Sequence, residues 1–535
     1  MIQNKTIICQ DELDYEVSRR RTFAIISHPD AGKTTLTEKL LLYAGAVDIA
    51  GSVRASKNQR NATSDWMEIE QQRGISITTA ALQFDCQGYR INLLDTPGHQ
   101  DFSEDTYRTL MVTDSAVMVL DAAKGIESQT KKLFQVSRLR NTPILTFINK
   151  LDRPSREPLE LLDEIEQVMG ISPAPMNWPI GNGPTFKGVY DLRTKNVLLF
   201  ERTHHGKYKA PVQAHNLYDS LLTELLGKDE HTKLIDEIEL INVAGATFNL
   251  DNYLEGKLTP VFFGSAINNF GLEPFWHSLI EFAPAPGEYK ALQGSIQPTN
   301  QNFSGLVFKI QANMDPNHRD RVAFLRVCSG RLEKDMQVYN SRLERNVRIS
   351  RAYRFFAGER EPVDEAYPGD VVGLVSPGLF SIGDTLCAGQ KIKFNAIPRF
   401  NPEHFCILQN IDIAKYKQFN KGLQQLEEEG AIQIFFFKDN LRKEPVLAAV
   451  GELQFEVVTA RLRAEYGVET AINNLTFTCA RWVEYDPKAE KEITWPSRCK
   501  LAYDRDENLV VLFPSKWDLD YCQEKNPQLV LKELG

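Results

Sequence analysis

The sequence lacks any long apolar segment. No apolar run approaches the roughly 18 residues that a membrane-spanning helix needs. The opening residues, MIQNKTIICQDELDYEVSRRR, are polar and lack the apolar stretch of a signal peptide. These absences lead us to expect a cytoplasmic protein that has no membrane partner.

The sequence also lacks the cysteine spacings of metal or redox sites and an excess of positive charge. The eight cysteines are scattered, with no C-x-x-C pair and no Cys/His cluster at the spacing of a zinc site. We therefore expect reduced, mostly structural cysteines. The net charge of −9 argues against uniform electrostatic adhesion to nucleic acid, although a total says nothing about local basic patches.

The first half of the 535 residues alternates short apolar runs with helical patterns. This alternation predicts a multidomain α/β protein whose first domain has a mainly parallel sheet covered by helices. That domain is expected to span residues 16–287, after an N-terminal tail of residues 1–15, and to contain an insertion subdomain at about 170–256. The predicted strands are Phe23–Ile26, Ile91–Leu94, Ala116–Leu120, Ile144–Ile148 and Val261–Phe263.

Two further domains are predicted after a linker. Clustered Pro and Gly at Ala283–Gly287, followed by polar residues, favour an extended linker over residues 288–302. Residues 303–392 contain short β-rich runs without a convincing helix, which predicts a β-barrel. Residues 393–535 begin with the order strand, helix, strand, strand, helix, strand, which predicts a ferredoxin-like α+β domain.

One basic series lies in the predicted barrel. Its arginines recur at every third position and could contact rRNA phosphates, but a solvated barrel face explains them equally well. A period of three fits neither a strand nor a helix, so they cannot all share one face. The series consists of Arg342, Arg345, Arg348, Arg351 and Arg354.

A phosphate-binding loop is predicted between the first strand and the first helix of this sheet. Main-chain N–H groups at a helix N-terminus can cradle phosphates, Lys33 can neutralise the β- and γ-phosphates, and the Thr34 hydroxyl can bind Mg²⁺. The pattern G-x-x-x-x-G-K-[ST] is broken at its first position by Ser27. The predicted phosphate-binding residues are Ser27, His28, Pro29, Asp30, Ala31, Gly32, Lys33 and Thr34.

Two later strands end in motifs that complete a nucleotide site. Asp95-Thr96-Pro97-Gly98-His99 follows INLL, so Asp95 could hold Mg²⁺ through water and the Gly98 N–H could meet the γ-phosphate. Asn149-Lys150-Leu151-Asp152 follows ILTFI. The Asp152 carboxylate would select guanine, whose N1–H and 2-amino group are donors that adenine lacks. Ser265 and Ala266, after PVFF, fit the loop that contacts guanine O6.

The segment from Asp65 to Thr78 occupies the position of a loop that senses the γ-phosphate. Read as local structure alone, it could also be the end of an amphipathic helix, which is the less favoured alternative. The order of the four motifs nevertheless predicts a GTPase that binds GTP or GDP together with Mg²⁺.

These motifs resemble those of the translational GTPases. The resemblance rests on D-A-G-K-T-T, S-D-W-M-E-x-E-x-x-R-G-I-S-I-T, D-T-P-G-H-x-D-F and N-K-L-D. It implies that His99 positions the attacking water and that Pro29 and Ile75 form the hydrophobic gate around that histidine. It also implies that Ser76 is the magnesium ligand of the sensing loop, with Thr78 as a competitor.

Within this family, the sequence is similar to the class-II release factors. The chain is too short for the further domains of elongation factor G, and it carries S-H-P-D-A-G-K-T-T, R-G-I-S and G-E-L-Q-F-E-V-V-x-x-R-L-x-x-E-Y. The resemblance implies a monomeric, ribosome-stimulated GTPase that contacts rRNA and ribosomal proteins and drives class-I release factors off the ribosome. Two alternatives are a shortened translocase-like or ribosome-protection GTPase and a GTP-gated scaffold that never meets the ribosome.

Overall fold

The computed structural model describes residues 9–47, 70, 75–201, 208–312, 321–356, 359–375, 378–397, 400–439, 444–484 and 493–533. Of the predicted sensing loop, Asp65 to Glu68, Arg73 and Gly74 lie outside the described residues, whereas Ile75 to Thr78 lie within them. Across the described ranges, no helix combines the length and the apolar character that a bilayer-spanning segment requires.

The first domain is built on a seven-stranded sheet, as predicted. Its strand order is β2-β3-β1-β4-β5-β11-β6, in which β2 and β3 pair antiparallel and the other neighbours pair in parallel. All five strands predicted from the sequence are confirmed. The strands of the domain are β1 (Arg20–Ser27), β2 (Ala80–Cys86), β3 (Tyr89–Asp95), β4 (Ser115–Asp121), β5 (Ile144–Asn149), β6 (Ser172–Pro175), β7 (Asn177–Ile180), β8 (Gly188–Asp191), β9 (Asn196–Phe200), β10 (Val212–Asn216) and β11 (Leu258–Phe263).

Helices cover both faces of this sheet. Successive side chains of a strand point to opposite faces, so Phe23 and Ile25 enter one core with α2 and α9, while Ala24 and Ile26 enter another with α4 and α5. The helices are α1 (Gln10–Ser18), α2 (Lys33–Tyr43), α3 (Ser103–Leu110), α4 (Ser128–Leu139), α5 (Pro158–Met169), α6 (Ser220–Leu226), α7 (Lys228–Ala244), α8 (Leu250–Leu254) and α9 (Leu272–Phe282).

The segment predicted as an insertion begins with a strand of the main sheet. Strand β6 pairs with β11 at the sheet edge, where Pro173 and Pro175 are tolerated because an edge strand need not donate every N–H. The chain then forms a separate antiparallel sheet of order β10-β9-β8-β7 and the helices α6 to α8 before it returns to β11.

Regular structure also occurs where the sequence predicts a tail and a linker. In α1, Leu13 and Val17 lie four residues apart on one helix face and are buried against Tyr367 of the second domain. Strands β12 (Tyr289–Ala291) and β13 (Gly294–Ile296) form a hairpin between the first two domains. The tail and the linker both find packing partners that no local pattern reveals.

The second domain is an eight-stranded antiparallel, barrel-like sheet, which confirms the prediction of an all-β domain. The order is β18-β17-β23-β14-β15-β22-β19-β20, around a core that includes Val307, Leu325 and Val372. The strands are β14 (Ser304–Ala312), β15 (Arg321–Ser329), β16 (Leu332–Glu333), β17 (Met336–Asn340), β18 (Arg345–Ile349), β19 (Ala352–Phe356), β20 (Glu359–Val363), β21 (Glu365–Ala366), β22 (Val371–Val375) and β23 (Thr385–Cys387).

Three of the five arginines in the basic series already pair with carboxylates of this domain. Arg342 Nε donates to Asp384 Oδ1 at 2.6 Å, Arg348 Nη2 lies 3.0 Å from Asp335 Oδ1, and Arg354 Nε donates to Glu361 Oε2 at 2.7 Å. Arg345 and Arg351 are exposed. For the three paired arginines, the solvated barrel face is the better explanation.

The third domain contains the predicted ferredoxin-like unit. Strands β24 (His404–Asn410), β25 (Gln433–Phe437), β26 (Pro445–Ala449) and β27 (Thr470–Leu475) have the order β27-β24-β26-β25, with α10 (Tyr416–Glu428) and α11 (Leu453–Tyr466) packed on them. The sheet continues beyond the prediction through β29-β30-β28-β31. These added elements are β28 (Cys479–Glu484), β29 (Lys500–Tyr503), β30 (Leu509–Phe513), α12 (Lys516–Lys525) and β31 (Val530–Lys532).

Candidate nucleotide-binding site

The loop between β1 and α2 has a backbone suited to an anion. Asp30 (φ 65°) and Gly32 (φ 92°) are both left-handed. A Cβ on Gly32 would overlap the side-chain amide of Asn149, so this position needs glycine for space as well as for conformation. Helix α2 begins at Lys33, so the N–H groups without partners in the first helical turn lie at this loop.

Lys33 lies beside the aspartate that ends β3. Its Nζ is 3.6 Å from Asp95 Oδ1, and both side chains are buried. Neither oxygen of Asp95 accepts a hydrogen bond from the described residues. A buried carboxylate of this kind is costly unless a cation offsets its charge. The positive charge of Lys33 therefore lies where the sequence predicts a phosphate, and the negative charge of Asp95 lies where it predicts a metal ion.

Ser27 and His28 engage the protein through their side chains. Ser27 Oγ donates to the carbonyl oxygen of His28 at 2.8 Å. The His28 ring is buried, with Nδ1 3.4 Å from Thr130 Oγ1 and Nε2 3.5 Å from Glu127 Oε2. Burial lowers the pKa of His28 in spite of the nearby Glu127 carboxylate, which favours the neutral ring. The side chains of Ser27 and His28 already have protein partners. These two residues would therefore contact a phosphate through their main-chain groups.

Hard oxygen donors of the kind that Mg²⁺ prefers meet at this point. Thr34 Oγ1 and Ser76 Oγ lie 3.4 Å apart. Asp95, whose Oδ1 is 3.6 Å from Nζ of the neighbouring Lys33, brings a carboxylate to the same end of the sheet. The Thr78 hydroxyl is buried without a hydrogen-bond partner among the described residues, so it shows no such contact with Thr34. The residues present fit a magnesium ion, and the geometry favours Ser76 over Thr78.

Glu70 holds the segment that carries Ser76. Its Oε1 accepts the backbone N–H groups of Ile77 at 2.9 Å and of Thr78 at 3.2 Å. Local sequence patterns predict no role for Glu70. Its place in E-x-E-x-x-R-G is the one signal in the sequence that points to it.

His99 stands at the edge of the phosphate region and is about a quarter exposed (28%). Its ring lies 6.1 Å, centroid to centroid, from the Phe102 ring. Ile75 packs against a cluster of Ile77, Phe102 and Val457. Gly98 lies against His28 and Pro29, since a Cβ on it would be 3.6 Å from Pro29 Cα. Both predicted gate residues thus flank the loops that carry His99.

The predicted base-recognition residues converge next to the phosphate loop. Asn149 Nδ2 donates to the carbonyl oxygen of Ala31 at 2.9 Å, and Asn149 Oδ1 accepts the N–H of Ala266 at 2.8 Å. Asp152 Oδ1 accepts from Ser265 Oγ at 2.6 Å. Asn149 therefore fixes the phosphate loop and the base loop relative to each other, and Ser265 orients the carboxylate that would read guanine.

Lys150 is held differently from its neighbours. It is left-handed (φ 70°), and its Nζ lies 2.9 Å from Asp121 Oδ2. Burial opposes ionisation of Asp121, but the contacts from Lys150 and from the Ala123 amide outweigh it and hold the pKa of this carboxyl below its usual value. Asp121 therefore stays ionised and fixes the Lys150 stem at the edge of the base site.

Contacts from the other domains reach the loops of this site. Lys309 of β14 donates to the carbonyl oxygen of Thr79 at 2.6 Å. Asp101, two residues after His99, accepts the N–H of Leu453 of α11 at 2.9 Å. Asp101 lies in the motif D-T-P-G-H-x-D-F, whereas Lys309 has no distinguishing signal in the sequence.

Known protein families match all three domains. The family described as elongation factor Tu GTP binding domain matches residues 18–285, and elongation factor G domain 2 matches residues 302–389. The family described as class II release factor RF3, C-terminal domain matches residues 394–523.

Curated relatives match the chain along nearly its whole length. Peptide chain release factor 3 of Gloeobacter violaceus is 56% identical over 97% of this chain and 98% of the relative. The chain belongs to the peptide chain release factor 3 family. Release factor 3 of a Cyanothece strain is 55% identical over 98% of this chain and 97% of the relative. Release factor 3 of Symbiobacterium thermophilum is 52% identical over 98% of this chain and 99% of the relative.

As a member of this family with an elongation-factor-type GTP-binding domain, the protein is a GTPase of translation termination. The family-specific third domain favours this function over the translocase-like and scaffold alternatives. A solved structure from Thermus thermophilus is similar with a TM-score of 0.67, covering 87% of this chain and 71% of that chain. At 21% identity, that similarity concerns the fold alone.

Proposed function

We propose that this protein hydrolyses GTP on the ribosome and uses the cycle to drive class-I release factors off after peptide release. The observation that carries the proposal is the near-complete match to release factor 3 proteins together with a built GTP site. We further propose that it acts as a cytoplasmic monomer and contacts rRNA and ribosomal proteins.

For the nucleotide, we assign the phosphates to residues 27–34 and to the Gly98 N–H. Lys33 neutralises the β- and γ-phosphates, and the N–H groups at the start of α2 bind phosphate oxygens. Mg²⁺, when bound, neutralises charge that develops on the transferred phosphate. Thr34, Ser76 and Asp95, the last through water, are the residues that would hold it.

For the base, we assign guanine recognition to Asn149, Lys150, Asp152, Ser265 and Ala266. The Asp152 carboxylate accepts the two donors on the guanine edge, and the hydrogen bond from Ser265 leaves its other oxygen free for one of them. Adenine presents no such donors, so the partly buried Asp152 carboxylate would keep only its hydrogen bond from Ser265. Discrimination against ATP is then on the order of 10⁴-fold or more.

For hydrolysis, we assign His99 to the positioning of the attacking water, and Pro29 and Ile75 to the gate that limits access to it. The His99 ring keeps about a quarter of its surface exposed, so a water molecule can reach it. Ribosome binding orders these loops around the γ-phosphate, so turnover without ribosomes is slow.

The test follows a fluorescently labelled class-I release factor as it leaves post-release ribosomes, with and without this protein and GTP. Faster departure with wild-type protein, but not with His99→Ala at equal GTP affinity, supports the proposal. If departure is unchanged while ribosome-stimulated hydrolysis is intact, the release function is wrong and movement of tRNA and mRNA becomes the outcome to measure.

A further inference from the structure

Asp101 connects the proposed catalytic histidine to the third domain. Its Oδ1 lies 3.1 Å from His99 Nδ1. Its Oδ2 accepts the backbone N–H of Leu453, the first residue of α11, at 2.9 Å. Asp101 is buried, and Leu453 is 352 positions away in the chain. One carboxylate therefore contacts both the ring of His99 and the start of a third-domain helix.

The third domain leaves this carboxylate little freedom. Gly451 packs so closely on Asp101 that a Cβ at this position would overlap the carboxyl carbon. Beside this contact, Val457 of α11 is buried with Ile77 and Phe102 of the first domain. The loop that carries Asp101 is thus held by the Leu453 N–H, by the Gly451 contact and by the apolar cluster around Val457. The position of α11 therefore determines the position of Asp101.

Two groups of Asp101 reach the same nitrogen of the His99 ring. The backbone N–H of Asp101 donates to His99 Nδ1 at 3.3 Å. The carboxylate oxygen Oδ1 of Asp101 lies 3.1 Å from the same nitrogen. The orientation of the His99 ring therefore depends on the position of Asp101.

We propose that Asp101 is a positioning residue that holds the His99 ring at Nδ1, and that the third domain controls it through Gly451 and Leu453. This inference rests on the proposed role of His99 in hydrolysis. It adds that GTP turnover depends on the docking of a domain that contributes no residue to the nucleotide site described above. Movement of α11 away from the first domain releases Asp101 and, with it, the alignment of His99.

Variants at both ends of this contact test it in the full-length protein. Asp101→Ala removes the carboxylate that contacts His99 and accepts the Leu453 N–H, so we expect a fall in ribosome-stimulated kcat on the order of 100-fold. Asp101→Asn keeps the shape and an accepting oxygen and should lose less. Gly451→Ala displaces Asp101 from the third-domain side, and a misplacement of this size should lower kcat about 100-fold. GDP affinity and the KM for ribosomes should stay at wild-type values in all three variants.

The matched control is Glu452→Ala. Glu452 is adjacent to Gly451, but its side chain is mostly exposed and pairs with His404 rather than with Asp101. Its kcat should equal that of the wild type. A spectroscopic readout separates positioning from folding. In protein labelled with ¹⁵N-histidine, the His99 signals, identified by their absence in His99→Ala, should shift in Asp101→Ala and Gly451→Ala, while the signals of the other histidines keep their positions.

The outcomes distinguish this inference from the function on which it rests. If His99→Ala abolishes turnover while Asp101→Ala keeps a near-normal kcat and unchanged His99 signals, the inference is overturned and the proposed function stands. A folded Gly451→Ala protein with wild-type kcat overturns the role of the third domain. If His99→Ala itself turns over normally, the catalytic assignment and the inference fail together.

Discussion

Replacing Lys309 by methionine should weaken the contact between the barrel and the GTPase domain. Lys309 Nζ is buried, donates to the carbonyl oxygen of Thr79 at 2.6 Å and lies 3.4 Å from Asp105 Oδ2. The same carboxylate oxygen accepts the N–H of Thr79 at 2.6 Å. Methionine keeps the unbranched apolar stem but removes the charge, so Asp105 loses the cation paired with it.

The size of the effect follows from the burial of Lys309 and the low exposure of Asp105, whose side chain is 17% exposed. Removing one member of a buried ion pair leaves an uncompensated charge and costs about 3–5 kcal/mol. The exposed pair Lys334–Asp364 on the same domain, with its charged atoms 3.5 Å apart, supplies the control. An exposed pair contributes at most about 1 kcal/mol, so Lys334→Met should leave the unfolding temperature nearly unchanged.

The destabilisation by Lys309→Met should also depend on pH. Burial alone raises the pKa of Asp105, but Lys309 and the Thr79 amide outweigh it and bring this pKa below its usual value of 3.8. A carboxyl with a lowered pKa stabilises the fold above its unfolded pKa, and that stabilisation is lost as the pH falls through the folded pKa. Without Lys309 the pKa of Asp105 should rise, so protonation relieves the unpaired charge at a higher pH than in the wild type.

The assay is calorimetric unfolding of both proteins over a series of pH values. We expect the unfolding temperature of Lys309→Met to lie furthest below that of the wild type at neutral pH, and the gap to narrow as the pH approaches 3.8 and falls below it. Equal unfolding temperatures at neutral pH would refute the assigned ion pair. A gap that is constant with pH would show that lost packing, rather than the Asp105 charge, causes the destabilisation.

Three further predictions concern the nucleotide site. Asp152→Asn should weaken GTP binding and shift preference towards xanthosine nucleotides, and a competition titration in which GTP affinity is unchanged would contradict the base assignment. Lys33→Ala should abolish tight nucleotide binding, measured by equilibrium titration with labelled GDP. Glu70→Ala should lower the Mg²⁺-dependent affinity for a GTP analogue about 10- to 100-fold, while the affinity for GDP is kept. Glu70→Gln keeps the accepting oxygen and should lose less of the affinity for the analogue. Equal losses in the two variants would contradict the role of that oxygen.

The sequence predicts the parts of the site that are encoded by consecutive residues. Lys33 and Thr34 follow directly from a strand into a helix, and Asp95 and Asn149 end buried strands, so the parallel sheet brings them to one edge. The alternating apolar runs and the strand–helix order of the third domain have periods that can be read without a structure. For Ser76, by contrast, the motif left Thr78 as a competitor until the contact with Thr34 was seen.

Other features depend on packing between distant segments. The contacts of Asp101 with Gly451 and Leu453, and of Lys309 with Thr79, join residues more than 200 positions apart. The partner of α1 on the barrel and the added strands β28 to β31 depend in the same way on surfaces made elsewhere in the chain. Local patterns determine what each segment can form and which chemistry it carries, because they act through neighbouring backbone and side chains. Packing of the three domains against one another decides which charges are buried together. It also decides which domain fixes the position of His99.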